Sequence, residues 1–208
     1  MVLLSGGYAA FLRELDDQGR KIFEVYLGTE REKVLCAKGY SAVRYAYDEK
    51  GNIAREAWYD TEDRPMTLGD TYCAVVRGYN DDKQVIYTQY LEANGYPVLS
   101  KAGYAAVRKE YSGKLVTRES YFDTNDQPVL SQDGCAVIVS AYDGDHVTTV
   151  SYLDTEGNPV NIRKGYSEIR YTYGADGKQE TVTYWTTDGT QVDQNGQPLT
   201  QETAEPAA

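Results

Sequence analysis

Histidine occurs once in this 208-residue chain, methionine and tryptophan twice each, and cysteine and phenylalanine three times each. A single histidine, His146, leaves no second imidazole for a metal set, and it sits in a turn with no nucleophile beside it in sequence. Cys36, Cys73 and Cys135 are odd in number and scattered, which argues against both a disulfide framework and a zinc-ligand spacing. Lys and Arg total 21 against 32 Asp and Glu, a net charge of −11. That balance argues against a phosphate-tracking groove, so nucleic acid is not an expected partner. No apolar run is long enough to cross a bilayer as a helix, and no membrane insertion of this segment is expected. The chain has no Gly-x-Ser-x-Gly elbow, no Walker loop and no His-Glu-x-x-His, and its acidic turns follow neither the EF-hand nor the nonapeptide pattern. The expectation is that the chain is not an enzyme and uses no cofactor and no metal.

What the chain does have is one unit written six times. The units open at Gly7, Gly39, Thr71, Gly103, Gly134 and Gly165, in steps of 32, 32, 32, 31 and 31. The first half reads Gly-Tyr-small-Ala-apolar, as in Gly39-Tyr40-Ser41-Ala42-Val43 and Gly103-Tyr104-Ala105-Ala106-Val107. The second half reads aromatic-apolar-Asp, a turn and Pro-Val, as in Tyr152-Leu153-Asp154 with Pro159-Val160. A fixed period of this length means stacked copies of one supersecondary element. The repeats are therefore placed at 7–38, 39–70, 71–102, 103–133, 134–164 and 165–195. Residues 1–6 match the trailing end of a preceding repeat, with Met1 in the slot of Pro65, Pro97, Pro128 and Pro159, so a segment of a longer array is expected. Residues 196–208 read as a degenerate Gly-Gln-Pro-Leu turn followed by a disordered tail.

Within a unit the period is two. Ser41, Val43 and Tyr47, like Ser167, Ile169 and Tyr173, put a small residue, an apolar one and a tyrosine on one face, in the pattern of a strand. Glycine-bearing turns such as Asp48-Glu49-Lys50-Gly51-Asn52 follow. The second segment ends on Tyr26, Trp58, Tyr90, Tyr121, Tyr152 or Tyr184, and a proline beyond the next turn marks its boundary. Each unit is thus a β-hairpin with a short connector. The fold class predicted is all-β: an elongated array of six hairpin repeats with about twelve strands, as a twisted single-layer sheet or a β-solenoid.

The stretch Arg44-Tyr45-Ala46-Tyr47-Asp48-Glu49-Lys50-Gly51-Asn52 resembles the tyrosine–aspartate (YD or RHS) repeats of bacterial surface and toxin proteins. Those units also join an aromatic strand, an Asp-x-x-Gly turn and an apolar strand. This chain departs from them in its longer period and in its Gly-Tyr and Pro-Val landmarks. The resemblance implies a structural or binding role in a larger bacterial protein, outside the cell or at its surface, and carries across no catalytic residue.

Twenty tyrosines against three phenylalanines suit a surface that is half buried or half bound. Two readings follow. In the first, an aromatic stripe binds carbohydrate or a protein partner. The position five after each opening residue alternates, Leu12, Arg44, Val76, Arg108, Val139, Arg170, so Arg44, Arg108 and Arg170 with Tyr40, Tyr104 and Tyr166 are candidate binding residues, joined by Trp58 and Trp185. In the second reading the tyrosines hold strands together and the array is a spacer. As a segment, the chain is expected to be monomeric.

Overall fold

The computed structural model describes residues 4–199, and the 200–208 tail predicted to be disordered lies outside them, as do residues 1–3. Each repeat folds as one hairpin. The strands are β1 (Ala10–Leu15) and β2 (Lys21–Leu27), β3 (Ala42–Tyr47) and β4 (Ile53–Tyr59), β5 (Ala74–Tyr79) and β6 (Val85–Leu91), β7 (Ala106–Ser112) and β8 (Leu115–Phe122), β9 (Val137–Asp143) and β10 (His146–Leu153), and β11 (Glu168–Tyr173) and β12 (Gln179–Trp185). A two-residue β13 (Gln191–Val192) closes the order. All thirteen belong to one sheet in which every strand neighbours those adjacent to it in sequence. The choice between sheet and solenoid is thereby resolved as a sheet. Two compact units divide it, Met1–Lys109 with Tyr121–Gln127, and Glu110–Ser120 with Pro128–Ala208.

The strand beyond the expected twelve lies in the last connector. In the other connectors a single bridge forms opposite the strand end, as at Tyr59 with Pro65 or Leu91 with Pro97. In the last connector two consecutive pairs form, Trp185 with Gln191 and Tyr184 with Val192. At the turn Asp193–Gln197, Gly196 N–H donates to Asp193 C=O at 3.0 Å.

The turns explain the acidity of the chain. In each of six, one aspartate carboxylate accepts main-chain N–H groups two and four residues ahead: Asp16, Asp48, Asp60, Asp123, Asp154 and Asp193. The acids are thus turn-forming as well as solubilising. Asn158 N–H holds the Asp154 carboxyl below the usual carboxylate range, and Gln197 N–H does the same for Asp193.

A second recurring device joins one hairpin to the next. A β-bulge ahead of Tyr47, Tyr79 and Tyr173 shifts the register at the end of the first strand. The phenol then reaches back to a carbonyl of the preceding hairpin, 26 residues upstream. Tyr47 donates to Lys21 C=O, Tyr79 to Ile53, Tyr142 to Val116 and Tyr173 to Val147, each at 2.8 Å. Tyr79→Phe is expected to lower stability by about 1 kcal/mol, the net worth of one such bond, as read by urea unfolding.

Candidate functional site

The sheet presents two faces with different chemistry. Val43 lies opposite Trp58 and packs with Tyr26, Tyr40, Cys36 and Val75 on the first. Tyrosines of the Gly-Tyr openings intercalate there between the strand-end aromatics. In the first unit Tyr72 stands 6.2 Å from Trp58 and 4.4 Å from Tyr90, and Tyr104 stands 6.0 Å from Tyr90 and 4.4 Å from Tyr121. In the second unit Tyr166 stands 6.1 Å from Tyr152 and 4.9 Å from Tyr184. This is a ladder of tilted and stacked rings, each spacing within the favourable range for aromatic pairs. Tyr40 is 5% exposed, Trp58 9%, Tyr121 7% and Tyr166 4%, while Tyr72, Tyr90, Tyr104, Tyr152 and Tyr184 are half-buried. Burial pushes the Tyr40 and Tyr45 phenols up to about 12. In the fifth repeat Cys135 takes the tyrosine slot and is fully buried. Cys36, Cys73 and Cys135 are all free and buried, and burial pushes the Cys73 and Cys135 thiols up, away from nucleophilic use.

The opposite face carries the arginines. Arg44 lies over the rings of Phe23 at 4.5 Å and Tyr59 at 5.8 Å. Arg108 lies over Tyr87 at 5.8 Å and Phe122 at 4.1 Å, and its guanidinium donates to both carboxylate oxygens of Asp126 at 2.7 Å. Arg170 lies over Trp185 at 4.5 Å and pairs with Glu168. All three arginines are exposed. Beside Arg44 an open cleft of about 400 Å³ is lined by Glu14, Arg20, Ala46, Tyr47 and Arg55. His146 sits exposed at the start of β10, its ring 4.5 Å from that of Tyr173.

The eight residues grouped from sequence therefore divide. Tyr40, Trp58, Tyr104 and Tyr166 belong to the ladder; Arg44, Arg108, Arg170 and Trp185 belong to the other face. Tyr40 and Arg44 share a parity in sequence, yet the chain bends at Ser41 before β3 begins, and the alternation does not run through the bend. The same bend recurs at Ala105 and Ser167.

Sequence reasoning also missed the partners of the alternating arginines, although the signal was present. The residue after each strand-end aromatic alternates as well: Leu27, Tyr59, Leu91, Phe122, Leu153, Trp185. Aromatic residues accompany arginine in even repeats, and leucine accompanies Leu12, Val76 or Val139 in odd ones. The true structural period is two repeats. Its cause is the cation–π stacking across each even hairpin.

Among the described residues, no group of three or more His, Cys, Asp or Glu side chains is placed to hold a metal ion. None of their helices is long and apolar enough to cross a membrane. No family model matches the chain, and no curated protein matches it. Among solved structures, a chain of a Photorhabdus luminescens Tc holotoxin pore is similar at a TM-score of 0.39 and 12% identity, over 88% of this chain and 9% of that one. A TcdB2–TccC3 crystal structure is similar at 0.32 and 11%, over 85% of this chain and 11% of that one. This chain thus spans about a tenth of the length of the chains it matches. At such TM-scores the likeness carries no argument about this protein.

Proposed function

We propose that this chain is a non-catalytic β-repeat scaffold in which the aromatic stripe holds hairpin to hairpin. The observation that carries this reading is the burial of the ladder: Tyr40, Trp58, Tyr121 and Tyr166 are each 9% exposed or less, leaving little bare ring for a sugar or a peptide. The phenols that do face outward at strand ends are engaged by main-chain carbonyls. The role is to set a fixed spacing between whatever the two ends of the array carry.

A binding role retains one supporting feature, the exposed arginines with Trp185 on the second face. Two measurements separate the readings. Glycan-array and cell-wall pull-down assays are expected to give no saturable binding; saturable binding lost in Arg44→Ala, Arg108→Ala and Arg170→Ala combined would overturn the scaffold reading. Deletion supplies the independent arm. Removing residues 71–133, two whole repeats, sets Arg55 opposite Val139 and is expected to leave a cooperatively folding protein. Removing only 71–102 sets Arg55 opposite Arg108, a like-charge pair, and is expected to lower the Tm further than the longer deletion.

A further inference from the structure

The cleft of about 400 Å³ beside Arg44 is lined by three charged side chains that have no opposite charge in contact. Among the described residues, Glu14 on β1, Arg44 on β3 and Arg55 on β4 make no ion pair. Arg20 shares the cleft but is satisfied: Asp16 accepts from its Nε at 2.7 Å, and its guanidinium lies over the Tyr47 ring at 4.6 Å. The register places the three on the second face. Glu14 pairs with Phe23, Phe23 with Arg44 and Arg44 with Ala57, while Arg55 pairs with Ala46, two residues along β3 from Arg44. Arg44 and Arg55 are thus diagonal neighbours on one hairpin, with backbones roughly 7–8 Å apart. Ala46 offers only a methyl group beside them, and Arg55 is half-buried.

The repeat at 103–133 carries the same two arginines with their acids in place. Aligned on the Gly-Tyr opening and the strand-end aromatic, Arg108 matches Arg44, Glu110 matches Ala46, Arg118 matches Arg55 and Asp126 matches Asp63. Asp126 binds Arg108 at 2.7 Å, and Glu110 lies 3.8 Å from Arg118. In the repeat at 39–70 both carboxylates are withdrawn. Asp63 is engaged by Lys33, and the glutamate slot is alanine. A half-buried guanidinium without an acceptor is costly, so Arg55 favours a carboxylate brought from outside.

We propose that this cleft binds a free acidic amino acid. One carboxylate takes Arg55 as Glu110 takes Arg118, the second takes Arg44 as Asp126 takes Arg108, and the ammonium faces Glu14. The inference goes beyond the scaffold reading and does not depend on it. Charge complementarity selects the ligand. Two unpaired cations and one unpaired anion line the cleft, and an acidic amino acid carries the reverse set. An inorganic oxyanion would leave Glu14 facing a like charge. A peptide ending in glutamate lacks the ammonium on that residue, and a peptide beginning with glutamate lacks its α-carboxylate. The volume lies in the range of small-molecule sites.

The cleft is open, and Arg44 and Glu14 are exposed, so each ion pair is individually weak. Affinity rests on all three together, with a Kd of roughly a millimolar for a ligand of this size. Added salt weakens it by screening.

The test is an NMR titration of the full chain at low ionic strength with L-glutamate, L-aspartate, glutarate and the tripeptides Glu-Ala-Ala and Ala-Ala-Glu. One of the two amino acids is expected to move the amide signals of Glu14, Ala46 and Arg55 along a saturating curve. Glutarate, without the ammonium, binds roughly threefold more weakly than L-glutamate, and Glu14→Gln removes that difference. Arg55→Gln weakens binding roughly fivefold. Ala46→Glu supplies the carboxylate that the repeat at 103–133 already carries and abolishes binding, at an exposed position where the sheet tolerates it. Circular dichroism establishes that the variants keep the sheet, and the ranking of ligands on wild type needs no variant. Absence of saturable shifts for both amino acids overturns the proposal. So does full binding by Ala46→Glu or Arg55→Gln, glutarate binding as tightly as L-glutamate, or either tripeptide binding more tightly than the free amino acids, which would assign the cleft to a peptide end.

Discussion

Trp58→Ala is expected to cost about 3–5 kcal/mol of folding stability, whereas Trp185→Ala costs about 1 kcal/mol. The two tryptophans are the only ones in the chain, and their slots differ by one residue: Trp58 aligns with Tyr184, and Trp185 with Tyr59. One residue along a strand is a change of face. Trp58 is 9% exposed, opposite Val43, and in contact with the ladder through Tyr72 at 6.2 Å. Its truncation empties a site walled by neighbouring strands that cannot collapse inward without breaking their register. Trp185 is only part-buried; it stacks under Arg170 at 4.5 Å, and its indole N–H donates to Thr183 Oγ1 at 2.9 Å. Water replaces most of what it loses. Equilibrium unfolding in urea measures both costs. Trp58→Phe and Trp185→Phe leave one indole each, and the protein retaining Trp58 is expected to emit at the shorter wavelength. Equal costs for the two alanine variants would contradict the assignment of the indoles to different faces.

The contrast shows how much of this molecule the sequence made legible. The repeat period placed every hairpin, because the Gly-Tyr and aromatic-Asp landmarks sit at its turns. Six Asp-led turns were visible as acids, but their purpose was not, since a carboxylate that solubilises and one that caps a turn look alike until main-chain N–H groups are seen around it. The 26-residue reach of Tyr47 to Lys21 was hidden by the bulge ahead of it, which no alternation rule anticipates. The candidate site suffered most. Counting parity from Tyr40 to Arg44 assumed an extended chain, and the bend at Ser41 moved the tyrosine to the other side. The arginine alternation was legible because a single column carries it. Its meaning required pairing that column with the residue after each strand-end aromatic, a relation between two distant positions.

Acid should destabilise the protein, and Glu24→Gln should flatten much of that response for the first hairpins. Glu24 is a buried carboxylate, 4% exposed, in the seat between β2 and β3. It accepts from the Tyr26 hydroxyl at 2.6 Å, pairs with Arg13, and receives Lys21 Nζ at 3.3 Å. Burial is the largest single influence and would raise its pKa; the bonds from Tyr26 and Arg13 with the Lys21 charge together outweigh it and hold the carboxyl below the ordinary 4.5. The ionised form is therefore bound more tightly in the folded chain than in the unfolded one. Its contribution is complete above the unfolded value and disappears as pH falls through the folded value, so stability declines with acid below about pH 4.5. Glutamine preserves the shape and removes the charge, leaving Arg13 half in water and the Tyr26 hydroxyl a weaker acceptor. The expected cost is about 2 kcal/mol at neutral pH, shrinking toward zero once the wild-type carboxyl is protonated. The turn aspartates Asp60, Asp154 and Asp193, whose carboxyls are also lowered by main-chain N–H groups, remain in the variant and keep part of the acid limb. Urea midpoints measured from neutral to strongly acid pH decide the matter. Parallel curves for the two proteins would mean that the bonds to Glu24 do not distinguish its charged form, and the burial of this glutamate would then need another cause.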